Sequence, residues 1–102
     1  MYDSVRSWVT VPYSYKPFVK RDGAGTPEYG EIVSSACYPV GKLEIVTNAS
    51  GAEVISTTQL YVAGEEPIKV TDAVIFEGDV RPIHKINSFY RNGRVDIKVV
   101  YL

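Results

Sequence analysis

Glycine and proline recur too often along this chain for a long helix to form. Its 102 residues include eight glycines and six prolines, which are spread from Pro12 to Gly93. Both residue types interrupt helices, and no window between them shows the apolar spacing of an amphipathic helix. We therefore expect an all-β fold, and the length fits a single domain that covers residues 1–102.

Short apolar runs separated by turn residues predict the strands. The expected strands cover residues 8–19, 32–40, 43–47, 52–62, 73–76, 80–90 and 95–102. Pro12 and Pro17 place the first of them at a sheet edge or a bulge, because proline cannot donate to a ladder. Residues 21–30 are rich in turn formers and predict a long exposed loop. Residues 48–51 predict a hairpin turn, and Asn92-Gly93 predicts a type I′ turn. About six or seven short antiparallel strands with long loops indicate a barrel or a sandwich, and we expect a small β-barrel.

Charged residues are distributed unevenly. The net charge is −1, but the segment from Asp22 to Asp79 holds ten acidic and two basic residues, a net charge of −8. The flanking segments hold nine basic and two acidic residues, a net charge of +7. If the two ends of the chain pair in space, the molecule has one basic and one acidic face, which suits head-to-tail contacts between copies. The favoured interpretation is a solvated surface of mixed charge.

The sequence shows no catalytic or metal-binding constellation. Cys37 and His84 are the only thiol and imidazole. A nucleophilic pair would need them adjacent, and a structural zinc site needs four such ligands. Cys37 is expected to be a small apolar core residue in a reducing compartment. The acidic pairs Glu77 with Asp79 and Glu65 with Glu66 fit no recognised spacing for calcium or acid–base work. We expect no enzymatic activity, no cofactor and no metal.

Two classes of binding protein remain open at this level. Eight tyrosines, some interleaved with Lys16, Lys20 and Arg21, could stack bases on an oligonucleotide-binding barrel. Tyrosine also suits half-wet surfaces and subunit contacts, and the net charge is not basic, so a structural protein is the favoured interpretation. No apolar run is long enough to cross a bilayer, so no membrane association is expected.

A particular order of turns and strands carries a family resemblance. The residues concerned are Val11-Pro12-Tyr13-Ser14-Tyr15-Lys16-Pro17, Arg21-Asp22-Gly23, Asn48-Ala49-Ser50-Gly51-Ala52-Glu53-Val54-Ile55-Ser56, Leu60-Tyr61-Val62, Thr71-Asp72, Gly78 and Asp96-Ile97-Lys98-Val99-Val100-Tyr101-Leu102. Together they cover most of the chain. In this order the chain resembles the head completion, or stopper, proteins in the head-to-tail connector of long-tailed bacteriophages and related phage minor capsid proteins.

The resemblance implies a virion protein of the neck that assembles in the bacterial cytoplasm. It implies a dodecameric ring between a portal or adaptor protein and a tail completion or tail terminator protein. Packaged double-stranded DNA would pass through the ring without sequence-specific binding. In this family a loop projects into the channel. Residues 21–35 are the first candidate here, and the acidic turn at Glu65 and Glu66 is the second. We assign the channel lining to Asp22, Glu28, Tyr29 and Glu31, and the subunit interface to Arg81, Lys85, Arg91, Arg94, Glu65 and Glu66.

Overall fold

Nine β-strands make up the computed structural model, which describes residues 9–102 and contains no helix in that range. The strands are β1 (Val11–Lys16), β2 (Phe18–Arg21), β3 (Pro27–Tyr29), β4 (Val33–Thr47), β5 (Glu53–Ala63), β6 (Ala73–Phe76), β7 (Asp79–Pro82), β8 (Lys85–Arg91) and β9 (Arg94–Tyr101). The predicted all-β class is confirmed.

Seven of the strands form one antiparallel sheet in the order β7-β6-β1-β4-β5-β9-β8, while β2 and β3 form a separate two-stranded sheet. The edge strands β7 and β8 follow each other in the chain and are joined only by Ile83 and His84. Such a short link forces the sheet to curl until its edges approach. No ladder joins these two edges within residues 9–102, so the closed barrel that the sequence suggested is not found.

Strand β4 is the corner of this sheet. Its first part, Val33–Cys37, pairs with β1, and its later part, Tyr38–Thr47, pairs with β5. The predicted end at Pro39 and Gly41 is wrong. At Pro39 the strand has only β5 as a partner, so proline removes no ladder hydrogen bond on the other side. A register shift between Gly41 and Glu44 bends the strand without ending it.

The same reasoning corrects the position of β1. The prolines predicted a strand at an edge or with a bulge. Strand β1 instead lies inside the sheet, between β6 and β4, and a register shift occurs only further on, between Phe18 and Lys20 of β2. Within β1, only Ser14–Lys16 pair with β6, so Pro12 lies where β1 has β4 as its single partner. Pro17 separates β1 from β2, which divides the predicted strand in two. Trp8, at the start of that prediction, lies outside the described residues.

The turns were predicted more accurately than the strand ends. The hairpin around residues 48–51 joins β4 to β5, and the turn between β8 and β9 has positive φ at Asn92 (51°) and Gly93 (75°), as a type I′ turn requires. The predicted loop at 21–30 is instead mostly the β2–β3 hairpin. The predicted strand at 80–90 is divided into β7 and β8.

Two apolar clusters stabilise the sheet. The main core is lined by residues from β1, β4, β5, β6, β9 and the links between strands: Tyr13, Tyr15, Cys37, Leu60, Val62, Ile68, Val74, Phe76, Ile83, Val100 and Leu102. A second cluster joins Val46 of β4 to Val99 and Tyr101 of β9. Because residues alternate between the faces of a strand, β9 contributes Val100 to one cluster and its neighbours to the other.

Candidate interaction surfaces

The β2–β3 hairpin is the first candidate surface, and Asp22 shapes its turn. The Asp22 Oδ1 atom accepts hydrogen bonds from the backbone amides of Ala24 and Thr26, both at 2.9 Å. The Arg21 guanidinium donates to the carbonyl oxygen of Gly25 at 3.1 Å. These local contacts give a turn of the kind that aspartate favours. The hairpin can therefore hold its shape while exposed to solvent.

Aromatic packing braces the strands of this hairpin. The rings of Phe18 and Tyr29 meet edge to face with centroids 6.3 Å apart, and the Arg21 guanidinium lies 5.8 Å from the centre of the Phe18 ring. Ring pairs and cation–π contacts of this geometry each add a modest stabilisation. The backbone amide of Gly30 donates to the Pro17 carbonyl at 2.7 Å, which closes the base of the hairpin.

Buried Asp72 attaches the hairpin to the sheet. Its Oδ1 atom accepts a hydrogen bond from the Phe18 amide at 2.8 Å, and its Oδ2 atom accepts one from the Lys69 amide, also at 2.8 Å. A carboxylate that accepts two backbone amides is a strong, directional link. Sequence reasoning included Asp72 only as part of the family resemblance. An acid directly before the buried run that begins at Ala73 was the available signal.

The four predicted channel residues lie together on or beside this hairpin, and all four are exposed: Asp22, Glu28, Tyr29 and Glu31. The charges on the hairpin are more mixed than the net charge of −8 between Asp22 and Asp79 suggested. The Lys20 ammonium lies 3.9 Å from the Glu28 carboxylate, and the Asp22 carboxylate is engaged by the turn. The hairpin carries both signs of charge at its surface.

The four basic residues assigned to the interface occupy three places. The Arg81 guanidinium donates to the hydroxyls of Thr58 and Thr57 on β5, at 3.1 and 2.5 Å, and so holds β7 against a strand that is not its neighbour in the sheet. Lys85 begins β8, with its ammonium 5.9 Å from the centre of the Tyr101 ring. Arg91 and Arg94 flank the β8–β9 turn at the other end of that strand and are exposed.

The two acidic residues assigned to the interface differ in environment. Glu65 is exposed, whereas the Glu66 carboxylate accepts hydrogen bonds from the Tyr15 hydroxyl at 2.6 Å and the Ser35 hydroxyl at 2.8 Å. Burial, and then the hydrogen bond to Glu66, raise the pKa of Tyr15 above its ordinary value. Burial, and then the Glu66 charge, raise the pKa of Tyr13. Glu66 thus has a structural role inside the chain that adjacent charges in a sequence could not reveal.

Charges of both signs lie side by side at several places on the described residues. Pairing of the two ends of the chain, which a basic and an acidic face would need, is not found in the sheet, where β4 and β5 separate β1 from β9. Close pairs such as Lys20 with Glu28, and Lys42 with Glu44 at 3.5 Å, mix the two signs locally. These contacts favour the mixed charged surface over the two-faced one.

The chemistry of Cys37 follows from its burial. The thiol is fully buried in the main core, and this burial raises its pKa to about 11. It stays protonated at neutral pH and is a poor nucleophile. The His84 side chain is half-buried, and its backbone amide donates to the Tyr101 carbonyl at 2.8 Å. Within residues 9–102, no three His, Cys, Asp or Glu side chains are grouped to hold a metal ion, and no helix could cross a membrane.

A second candidate surface was not predicted from the sequence. Residues 42–56, here called the arm, are the far part of the β4–β5 hairpin, where the two strands pair only with each other. One face of the arm packs Val46 and Val54 against the second cluster. The other face exposes Leu43, Ile45 and Ile55, here called the arm patch, with exposed fractions of 76%, 68% and 63%. Apolar residues on both faces of a strand pair were the available sequence signal.

No protein-family model matches this chain, and no curated protein matches it.

Proposed function

We propose that this chain is a structural component of a tailed-phage head-to-tail connector, acting as a head completion or stopper protein. The observation that best supports this proposal is the β2–β3 hairpin, which is exposed, braced by its own contacts and attached to the sheet through buried Asp72. A channel loop needs these properties because it must project from a rigid wall without a partner. The curled seven-stranded sheet would be that wall, a barrel left open between β7 and β8.

In the proposed ring the hairpin faces the DNA channel. Glu28 and Glu31 would lie along the lumen, with Asp22 and Tyr29 beside them. Carboxylates repel the DNA phosphates, so DNA would be retained by constriction and would leave without adhering to the wall. Head-side contacts would be made with a portal or adaptor protein and tail-side contacts with a tail completion or terminator protein. The ring would be dodecameric and would lie at the virion neck after assembly in the bacterial cytoplasm.

An oligonucleotide-binding barrel is the alternative, and it loses its main sequence support. Tyr13 and Tyr15 stand beside the basic residues in sequence, but they are only 4% and 1% exposed. A base cannot stack on a ring that lies inside a core. Phe18, on the following strand, already packs against Tyr29 and Arg21. The connector proposal therefore predicts at most weak binding of free single-stranded or duplex DNA.

The first test reads the genes that flank this one. Portal and capsid genes on one side and tail genes on the other are expected, whereas a metabolic or nucleic-acid-processing neighbourhood would refute the connector proposal. The functional test then disrupts the gene in its phage and examines the particles by electron microscopy. Heads and tails are expected to accumulate separately, and a plasmid copy of the gene should restore infectious particles. Normal particles without the gene would contradict the proposal.

The channel assignment has its own matched variants. Complementation with a chain carrying Glu28→Lys and Glu31→Lys should give joined particles that eject DNA more slowly, because a basic lumen attracts phosphates. Glu77→Lys together with Asp79→Lys makes the same change of charge at two exposed residues beside the turn between β6 and β7 and serves as the control. Equal ejection rates for the two variants would place the hairpin away from the channel.

A further inference from the structure

Two exposed apolar patches lie at opposite ends of the β5–β9–β8 part of the sheet. One end is where β9 finishes: Tyr101 pairs there with Gln59 of β5 and with Lys85 of β8. The arm extends beyond these three residues. At the other end lies the β8–β9 turn. Just before this turn Phe89 and Tyr90, here called the tip patch, lie on the two faces of the edge strand β8 and are 53% and 70% exposed. A protein surface rarely exposes grouped large apolar side chains unless they form an interaction site.

The two patches carry opposite charge. Glu53 is exposed at the end of the arm, opposite Thr47, and the nearby Glu44 is paired with Lys42. Arg94 is exposed beside the tip patch, opposite Arg91. Residues 42–56 hold Glu44, Glu53 and Lys42, a net charge of −1, and residues 89–96 hold Arg91, Arg94 and Asp96, a net charge of +1. Such complementarity fixes the partner and the orientation of an interface.

We propose that the arm patch of one copy packs against the tip patch of a second copy of this chain. The proposal rests on the ring of the proposed function and identifies the surfaces that would build it. Because the two patches differ and lie at opposite ends, the contact is head-to-tail, and its repetition gives a ring if the rotation closes. Ile45 and Ile55, which face each other across the arm, would be the centre of the contact on one side.

Charge disfavours symmetric pairings of the same patches. Two arms placed face to face would bring Glu53 of each copy together, and two tips would bring Arg94 together. Like charges placed opposite each other in an interface are costly. Pairing the arm with the tip brings Glu53 toward Arg94 instead and covers both apolar patches with one contact.

Two surface variants test this contact. The arm variant carries Ile45→Ser and Ile55→Ser, and the tip variant carries Phe89→Ser and Tyr90→Ser. All four side chains are exposed, so each variant should fold. Val80→Ser changes an apolar residue, 56% exposed on β7, and is the control. Self-association is followed by sedimentation equilibrium and by amide chemical shifts up to about 1 mM, the weak end of specific association.

The wild-type chain and the control are expected to self-associate, and each variant alone should be monomeric. An equimolar mixture of the arm and tip variants should form a one-to-one dimer that does not grow, because only one intact arm and one intact tip remain to meet. In that mixture the shifts of the tip variant should change in its arm, and those of the arm variant in its tip. Replacing Glu53 with Lys in the tip variant should weaken the dimer about tenfold, and Arg94→Glu in the arm variant should then restore it.

Several results would overturn the proposal. These are a wild-type chain that stays monomeric at about 1 mM, a tip or arm variant that still associates by itself, and a mixture in which the two variants ignore each other. The outcome is independent of the phage experiment. If the flanking genes are phage genes but the mixing test fails, the proposed function stands and this interface is wrong. If the mixing test succeeds but the flanking genes are not phage genes, this interface stands and the proposed function is wrong.

Discussion

Replacing Gly64 with alanine should destabilise the protein more than any other single-methyl addition at a glycine. Gly64 follows β5 and lies directly on β9, where its amide donates to the Asp96 carbonyl at 3.0 Å. A Cβ atom at this position would lie 1.9 Å from the Val95 carbonyl oxygen and 2.5 Å from the Val95 carbonyl carbon. Ordinary contact begins at 3.4 Å, and the obstacle is backbone, which cannot rotate away as a side chain can.

The magnitude follows from what must move. Restoring contact distance separates β9 from the loop by more than an ångström, which breaks the Gly64–Asp96 hydrogen bond and opens the packing beside it. Overpacking costs about 1–3 kcal/mol, and a lost hydrogen bond costs about 0.5–1.5 kcal/mol. Alanine restricts the unfolded chain and returns about 0.4–1 kcal/mol. The expected net loss is about 2–3 kcal/mol, or a fall of roughly 10–20 °C in Tm for a domain of this size.

Gly41→Ala is the matched control, because nothing lies within 4 Å of the added methyl group at that position and φ is not positive. It should be neutral or slightly stabilising. Urea unfolding followed by circular dichroism measures both variants, with the midpoint reporting stability and the slope reporting any change in exposed area. If the free energies of unfolding of Gly64→Ala and Gly41→Ala differ by less than about 0.5 kcal/mol, the close approach of Gly64 to β9 is wrong.

Three further predictions concern polar and titratable side chains that link strands or lie in the core. Asp72→Ala should cost about 2–4 kcal/mol, since two backbone amides lose their acceptor, and hydrogen exchange should quicken at both amides; unchanged exchange would contradict the anchor. Stability should be constant from pH 7 to about 9 and fall as the pH rises toward 11, because Cys37, Tyr13 and Tyr15 have raised pKa values in the folded chain; urea midpoints between pH 7 and 11 test this, and a flat profile would contradict it. Arg81→Lys should lower the free energy of unfolding by about 1 kcal/mol, since one ammonium nitrogen replaces the two separate guanidinium nitrogens that donate to the two hydroxyls; a urea midpoint equal to that of the wild type would show that the contact adds no stability.

Local signals in the sequence predicted local structure well. Asn92-Gly93 gave the turn before β9 because both residues tolerate positive φ, and the apolar run at residues 73–76 gave β6 because its flanks are turn residues. The predicted strand ends were wrong where contacts with distant strands decide where a strand stops. Pro39 does not end β4, since its missing amide hydrogen falls where the strand has only one partner.

The candidate surfaces show the same division. The charged residues of the β2–β3 hairpin could be placed together because they are close in sequence. The inward role of Glu66 depends on Tyr15, which is 51 residues away, and on Ser35. The apolar face of the arm depends on where the neighbouring strands stop. Neither feature has a signature within one stretch of sequence.

The position of β1 has a consequence for synthesis on the ribosome. Tyr15 meets Val33 early, but its partner on the other side, Val74, emerges 59 residues after it. At usual elongation rates of 5–20 residues per second, β1 waits about 3–12 s with one edge open. An open edge can capture strands of other nascent chains. Pro12 within β1 and Pro17 just after it have no amide hydrogen to offer such a strand, so the residues that appeared to mark a permanent edge protect a temporary one.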